Sequence, residues 1–420
     1  PGSLVIVDEF SLINDDTVDI LESTVRSNGG KVLYLGDDAQ LFPVGQNTIS
    51  KALQQTNVYK LTDIKRQTGN NPLIRWLQYI RDNATVNGYR MKHSTNITSN
   101  NDGRMYIPGS KSEAWLNTAA KLFNSDAYKN DADFVKILAF TNKAVNLYNY
   151  LIRLSMGYES LNDINVGETL TAYNTLTDQD GKEMGIYNSS DYRVVESESV
   201  ESTVSNMYFD LYALTKMEAN IKPTKLTVRN TIESEEDAKE ISFYILTNED
   251  KKVMSDILRT AFLNTKKKVS SYYAMASNGE ITRASAAKES AMAWQAYYGA
   301  VESVFTMFDV TDETGKTVYK EKSMDFGYAS TIHKSQGSTY TYAFVDDSDI
   351  STAEYNSVQM ASQLRYVGMS RPKKAAIALT NYNIDGVAGV ETSHMTLEYF
   401  ENNIDRMNNE SDDTAIKTCK

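Results

Sequence analysis

Acids and arginines at the ends of apolar runs are the residues of this sequence that could do chemistry. Val7-Asp8-Glu9 closes the run Leu4-Val-Ile-Val. A carboxylate there can hold Mg²⁺ on a nucleotide, and an adjacent Glu can activate water. The same pair can equally be a solvated acidic turn. Gln40, in Gly36-Asp-Asp-Ala-Gln-Leu-Phe-Pro-Val-Gly, follows the next apolar run and could reach a γ-phosphate or its attacking water. Arg66, in Lys65-Arg66-Gln67, could contact phosphate or simply be a surface basic residue. Ser330-Thr-Ile-His-Lys-Ser-Gln-Gly-Ser-Thr gathers hydroxyls, His333, Lys334 and Gly337 on one turn, a set suited to phosphate oxygens. His333 could instead be a core histidine bonded to a carbonyl. Arg371 ends an apolar helical stretch, as a phosphate-contacting finger or as a helix C-cap.

These residues need a scaffold, and the apolar pattern supplies one. Leu4–Val7 and Lys31–Leu35 read as fully buried parallel strands flanking a helix over Ser11–Arg26 that stops at Asn28-Gly29-Gly30. Loops at the carboxyl ends of such strands share one sheet edge, where α/β proteins bind ligands, so Asp8-Glu9 and Gln40 should be neighbours. A helix follows Asn70-Asn71-Pro72, residues 83–102 read as a polar connector, and Ala114–Leu122 as a helix. Val135–Phe140 is a third buried strand running into Thr141-Asn142, with a helix behind it. From about Asn165 the pattern changes to short alternating stretches: Glu168–Tyr173, Tyr192–Val195, Met207–Leu211 and Ile241–Leu246. Acidic patches at Glu196–Ser202 and Glu233–Glu240 separate them, suggesting a small antiparallel β module. A helical region spans Lys251 to about Phe308, broken near Ser277-Asn278-Gly279. A new α/β segment begins at Tyr328, with strands at Tyr342–Val345 and Ala375–Thr380.

Composition bounds the function. The 420 residues suggest about three domains. A chain 41% hydrophobic and 23% charged can bury a core, which excludes a disordered or collagen-like protein. The net charge of −12 disfavours a globally basic DNA-coating protein but leaves room for a local basic channel. Cys419 is the sole cysteine, so no intramolecular disulfide forms. The three histidines, His93, His333 and His394, lie far apart, which argues against a histidine metal site. No apolar run approaches the ~20 residues of a membrane span. The tail from Asn402 is polar, and a nuclease is disfavoured because carboxylates do not cluster beyond Asp8-Glu9.

In this order the pieces resemble the superfamily 1 helicases of the RecD/Pif1 group, and among them the phage Dda-like helicases. Val5-Ile-Val-Asp-Glu resembles motif II (Walker B), Gly36-Asp-Asp-Ala-Gln-Leu-Phe-Pro-Val-Gly motif III, and Leu61-Thr-Asp-Ile-Lys-Arg-Gln motif IV. Leu138-Ala-Phe-Thr-Asn-Lys-Ala-Val resembles the first strand of the second RecA-like domain. Thr331-Ile-His-Lys-Ser-Gln-Gly-Ser-Thr resembles motif V, and Tyr366-Val-Gly-Met-Ser-Arg-Pro motif VI. Phe42 stands where the family usually has Pro.

The resemblance implies an α/β protein of RecA-like (P-loop NTPase) parallel-sheet domains, the first incomplete, with an inserted small SH3-like β-barrel. Residues 1–90 would be the C-terminal part of domain 1A. Residues 91–164 would form a connector and the first part of domain 2A, 165–324 the inserted 2B module with its helices, and 325–420 the rest of 2A. It implies ATP and Mg²⁺ as cofactors, with Asp8 on the metal. Glu9 would be the base, Gln40 the γ-phosphate sensor, and Arg66 and Arg371 the charge-stabilising arginines. Gly337 would lie on the nucleotide side, and Thr141, Asn142, Thr331, His333 and Ser335 on single-stranded DNA. Expected partners are single-stranded and fork DNA and phage replication or recombination proteins, with 5′ to 3′ translocation in a host cytoplasm and no membrane. The family's Gly-x-x-x-x-Gly-Lys-Thr/Ser loop does not occur in the sequence. The chain is therefore expected to be the C-terminal four-fifths or less of a helicase, inactive alone. The rival reading is a non-hydrolysing remnant that binds nucleic acid or serves a structural role.

Overall fold

The computed structural model describes residues 2–384 apart from 44–45, 47, 56, 62–64, 68, 84–90, 159, 161, 179–180 and 233–238. His394, Cys419, the tail from Asn402 and most of Glu233–Glu240 lie outside the described residues. The fold is mixed α/β with a parallel-sheet core. The chain divides into two compact units, Pro1–Ile152 with Ala329–Lys420, and Arg153–Tyr328.

The first unit is built on a six-stranded sheet. Its strand order is Ala329–Thr331, Val135–Ala139, Tyr340–Asp346, Pro372–Thr380, Gly103–Pro108 and Asn96–Ile97. The first five strands are parallel and the last is antiparallel. Strand residues alternate between faces, so register sorts them into two layers. Ile137, Phe344, Ile377 and Met105 lie in one row across four strands, and Leu138, Val345, Ala378 and Tyr106 in the next. The second row packs into a cluster with Leu73, Trp76, Leu77 and Ile80 of the Pro72–Asn83 helix and Leu364 and Val367 of the Val358–Ser370 helix. Phe344 in the first row meets the Trp115 ring at 5.4 Å, and the Trp115 indole N–H donates to the Ile377 carbonyl at 3.0 Å. Both faces are thus covered, as a parallel sheet requires.

The predicted strands at 135–140, 342–345 and 375–380 are all present within a residue or two of their expected ends, except that the last begins at Pro372. Gly103–Pro108, in contrast, has no counterpart among the expected strands. Arg104 interrupts its apolar run, yet it fills the parallel position beside Pro372–Thr380.

Leu4–Val7 and Lys31–Tyr34 form a separate parallel pair, linked by the Asp15–Ser27 helix. Asn14 caps that helix, its side chain accepting from the Thr17 N–H at 2.9 Å. The pairing is as expected, but full burial is not. Leu4 is 61% and Ile6 59% exposed. Only one face of this two-stranded sheet has cover, from the small cluster of Phe10, Val18 and Ala52 beside Tyr34.

The second unit carries a five-stranded antiparallel sheet, ordered Glu240–Ile245, Thr224–Asn230, Asp191–Ser199, Thr169–Ala172 and Met324–Phe326. Two expectations fail here. Glu196–Ser199 is not a separator but continues a strand, paired with Thr224–Thr227. Its acids alternate outward, as a half-exposed strand permits. Met207–Leu211 is helical, within Val204–Met207 and Phe209–Thr215. The helical spacing of Val204, Tyr208 and Leu211, all buried, outweighs a five-residue alternation. The helices Lys251–Ser277 and Arg283–Glu302 appear with the predicted break, where Gly279 has φ 77°, but the second ends at Glu302, short of the expected Phe308.

Arg153 and Glu168 anchor this unit, both fully buried, with Nε donating to Oε1 at 2.7 Å and an Nη to Oε2 at 3.1 Å. The guanidinium also donates to the Ser160 and Asp163 carbonyls at 2.8 and 2.6 Å. Removing one partner strands a buried charge, which costs about 3–5 kcal/mol. Glu168→Ala is therefore expected to lower unfolding free energy by about that amount in urea titrations. A loss within about 1 kcal/mol of wild type would mean the pair is replaceable by water.

Candidate functional site

Glu9 leaves the Leu4–Val7 strand in the left-handed region, at φ 52° and ψ 48°. Non-glycine residues rarely adopt this backbone, and such outliers gather at functional sites. Its own N–H donates to the Asp8 carboxylate at 2.9 Å, and the next N–H, of Phe10, donates to the Leu35 carbonyl at 2.9 Å. Gly36 permits this approach of the two strand ends. A Cβ there would stand 2.7 Å from the Phe10 ring and 3.0 Å from its nitrogen. The predicted juxtaposition of the two strand-end loops is therefore real. Glu9 Oε2 is buried with no hydrogen-bond partner among the described residues. Burial raises the Glu9 pKa. Arg371 and Arg66 pull it down, while Asp8 and Asp37 add to the rise.

The loop after the second strand docks on the far end of the chain. The Tyr366 hydroxyl donates to Asp37 at 2.7 Å, and Arg81 pairs with Asp37 at 3.1 Å and with Asp38. The Gln40 side-chain carbonyl accepts from Gln336 at 3.1 Å, and its backbone carbonyl accepts from Gln363 at 2.7 Å. Gln40 thus touches the turn that holds His333 and Gly337, which sequence alone did not indicate.

Arg66 donates to the Thr339 hydroxyl at 3.0 Å and to the Ser370 carbonyl at 3.1 Å. Residues 62–64 of the expected motif around it lie outside the described residues. Arg371, only 2% exposed, is the C-cap of the Val358–Ser370 helix, and its Nε donates to the Val367 carbonyl at 3.0 Å. The helix-cap reading of Arg371 is thus realised, yet the guanidinium also faces Glu9 and Arg66. Burial lowers its pKa to about 10, and the neighbouring Arg66 charge adds to the fall while Glu9 opposes it.

A cleft of about 440 Å³ opens between these groups, lined by Asp37, Gln40, Lys60, Lys65, Arg66, Gln67, Arg81, Tyr366, Ser370 and Arg371 among others. Lys60, Lys65, Arg66, Arg81 and Arg371 are cationic and Asp37 is the acid among its lining residues. Clustered arginines and lysines at a cleft with water-excluding walls suit phosphate oxygens. Sequence reasoning missed Asp37, Gln67, Arg81 and Tyr366, whose roles arise only from tertiary pairing.

Among the described residues no group of three His, Cys, Asp or Glu could hold a metal ion alone. Mg²⁺ commonly takes one or two carboxylates and completes its shell with phosphates and water. Exposed Asp8, beside the unpartnered Glu9 oxygen, fits an ion that arrives on a nucleotide and not a dedicated cage.

The five residues expected along a strand of nucleic acid are placed differently. Asn142 is exposed. The Thr141 hydroxyl donates to Asp349 at 2.9 Å and accepts from the Ala144 N–H at 3.2 Å, so it caps the Asn142–Ser155 helix. Thr331 is buried, with its hydroxyl oxygen accepting from the Lys334 N–H at 3.3 Å. Ser335 is fully buried, donating to the Ile332 carbonyl at 2.8 Å. His333 is half-buried, its ring 6.2 Å from that of Phe140, and burial lowers its pKa. Gly337 is exposed at φ 81°. The one Gly-Lys-Thr of the sequence, Gly315-Lys316-Thr317, sits at the turn between the Val310–Thr311 and Thr317–Lys320 strands and opens no helix.

Residues 1–100 match the family model of an AAA domain, and residues 326–379 that of the UvrD-like helicase C-terminal domain. Uncharacterized protein R530 of Acanthamoeba polyphaga mimivirus is 22% identical over 389 residues, 86% of this chain and 72% of its own. The Pif1 helicase of Candida albicans is 14% identical with a TM-score of 0.42, covering 96% of this chain and 77% of that one. The Pif1 helicase of Bacteroides, solved with ADP-AlF3 and single-stranded DNA, is 14% identical with a TM-score of 0.42, covering 92% and 73%. The likeness to an AAA domain thus falls on the segment holding Asp8, Glu9, Gln40 and Arg66, and the likeness to a helicase C-terminal domain on the segment holding Gly337 and Arg371.

Proposed function

We propose that this chain is motor machinery of a superfamily 1, Pif1-like DNA helicase, driven by ATP and acting on single-stranded and forked DNA. The observation that carries this reading is the meeting of Arg66 and Arg371 on one cationic cleft, with Glu9 near enough to interact electrostatically with both. In this reading Asp8 holds Mg²⁺ on the nucleotide and Glu9 is the base for the attacking water. Gln40 senses the γ-phosphate, Gly337 flanks the nucleotide, and Arg66 and Arg371 stabilise charge on the transferring phosphoryl group. Opening and closing of such a cleft is what would step the protein along a strand. Asn142 and His333 are the contacts proposed for that strand, with Thr331 supporting them. Thr141 and Ser335 act through the turns that they hold. Residues 1–90, 91–164 with 325–420, and 165–324 correspond in this scheme to domains 1A, 2A and an SH3-like 2B insertion. The 5′ to 3′ polarity and the closer affinity to phage Dda-like helicases rest on the motif resemblance alone.

One observation favours a second reading, a nucleic-acid-binding protein without hydrolysis. No Gly-x-x-x-x-Gly-Lys-Thr/Ser occurs in the 420 residues, so the backbone amides and Lys that cradle β- and γ-phosphates are not among them. Phosphate release with saturating single-stranded DNA tests the second reading. Measurable turnover by these 420 residues would exclude it, whereas absence of turnover is expected of both, since the phosphate-cradling loop is not among these residues.

Nucleotide binding itself tests the cleft. Arg66→Ala is expected to weaken binding of a fluorescent ATP analogue by about tenfold or more, because a charge-assisted hydrogen bond contributes ~1.5–3 kcal/mol. Single-stranded DNA affinity should be retained. Unchanged nucleotide affinity in a folded Arg66→Ala protein would remove the cleft from the account.

The raised pKa of Glu9 gives a pH dependence with a definite sign. An ionised Glu9 repels a triphosphate, and a protonated one does not. Binding should therefore tighten as the pH falls from neutrality through the raised pKa of Glu9. In Glu9→Gln that dependence should vanish, leaving tight binding at both ends and only the titration of the nucleotide itself. An identical pH profile in the two proteins would place Glu9 away from the phosphates.

For the DNA side, His333→Ala is expected to weaken binding of an oligothymidylate severalfold while leaving the melting temperature unchanged. A parallel loss of melting temperature and both ligand affinities would instead identify a packing histidine.

A further inference from the structure

A second cleft lies apart from the one already described, where the start of the Pro72–Asn83 helix meets the segment before the Gly103–Pro108 strand. It encloses about 610 Å³, within the range of small-ligand sites, and its lining includes Asn71, Arg75, Trp76, Lys92, Ser94 and Arg104. Among the described residues no Asp or Glu lines it. We propose that this cleft is a second anion site, built to take a phosphate group carried by a nucleotide or by a nucleic-acid strand.

Arg104 is the centre of the argument. It is 8% exposed, and its Nε is buried with no hydrogen-bond partner among the described residues. Its guanidinium lies 5.1 Å from the centre of the Trp76 ring, a cation–π contact, and one Nη donates to the Ser94 hydroxyl at 2.8 Å. A cation–π contact uses the face of the guanidinium and leaves its edge donors for an anion. Burial lowers the Arg104 pKa to about 10, and no carboxylate offsets that burial. A buried cation without an acid is costly unless a ligand anion completes it.

A second orphan donor stands beside it. Trp76 is 5% exposed, and its indole N–H is buried with no partner among the described residues. Arg75 and Lys92 are exposed on the cleft and add positive charge. The N-terminus of a twelve-residue helix opens into the same cleft, where its leading dipole favours a negative charge, although Pro72 carries no N–H and Asn71 accepts from the Leu73 and Ile74 amides. None of these six residues lines the nucleotide cleft.

The test uses the whole chain labelled with 5-fluorotryptophan. Its three tryptophans give three fluorine resonances, and Trp76→Phe assigns one of them. The probes are inorganic phosphate, thymidine 5′-monophosphate and an oligothymidylate. The expected result is a saturable shift of the Trp76 resonance. Saturation by phosphate and the mononucleotide marks a free phosphate as the source. Saturation by the oligonucleotide where inorganic phosphate fails marks a strand backbone. Arg75→Ala with Lys92→Ala alters only exposed side chains, and should weaken the midpoint about tenfold at an unchanged melting temperature. Arg104→Gln should abolish the shift. No Trp76 shift with any probe, or an equal midpoint in the folded Arg75→Ala, Lys92→Ala protein, would overturn the proposal.

Discussion

The cleft exists because Arg66, Gln67 and Asn71 hydrogen-bond to the backbone where the Val358–Ser370 helix gives way to the Pro372–Thr380 strand. The buried Gln67 amide donates to the Pro372 carbonyl at 2.6 Å and to the Ser370 carbonyl at 3.2 Å. Asn71 donates to the Lys374 carbonyl at 2.9 Å, while its own side-chain oxygen accepts from the Leu73 N–H and so starts the next helix. Carbonyls at a helix C-terminus lack intrahelical partners, and buried ones must find donors elsewhere. The 66–71 segment supplies those donors. The same bonds that satisfy the end of one helix therefore fix Arg66 against Arg371 and begin the helix that covers the sheet.

Electrostatics then gives this junction its character. Burial disfavours the charge on both guanidiniums, and Arg66 lies close enough to Arg371 to disfavour its charge further. Glu9 offsets part of this repulsion, but its carboxyl is itself driven towards the neutral form by burial. Such an arrangement is incomplete without an anion. A polyphosphate would relieve the repulsion of the arginines and would favour protonation of Glu9 at the same time. The strained backbone at Glu9, held by the Phe10 bond to Leu35, prevents that residue from relaxing into an ordinary strand end.

How much of this was legible in the sequence depended on whether the signal was local. The core strands at 135–139 and 340–346 announced themselves as apolar runs, because a parallel strand is buried on both faces. Gly103–Pro108 is as buried as they are, but Arg104 breaks its apolar run, and its cation–π contact with Trp76 and hydrogen bond to Ser94 are tertiary contacts that the sequence does not announce. Leu4–Val7 carries the same apolar signal and yet leaves Leu4 and Ile6 exposed, because composition cannot report how many strands will lie alongside. At the site, the meeting of the two strand-end loops was readable from type and spacing. Tyr366 on Asp37 and Gln336 on Gln40 were not, since each joins residues about three hundred positions apart through the fold alone. Thr141 and Ser335 show the opposite failure. Their hydroxyls look available in the sequence, but the Thr141 hydroxyl donates to Asp349, about two hundred positions away, and the Ser335 hydroxyl to the local Ile332 carbonyl.

The most direct measurement of the central claim is a crystal structure of this chain with a non-hydrolysable ATP analogue and Mg²⁺. The account predicts phosphate oxygens within hydrogen-bond distance of the Arg66 and Arg371 guanidiniums, with the metal on the Asp8 side of the phosphates and Glu9 facing the terminal one. Phosphates bound elsewhere, with Arg66 still on Thr339 and Ser370 and Arg371 still on Val367, would contradict it.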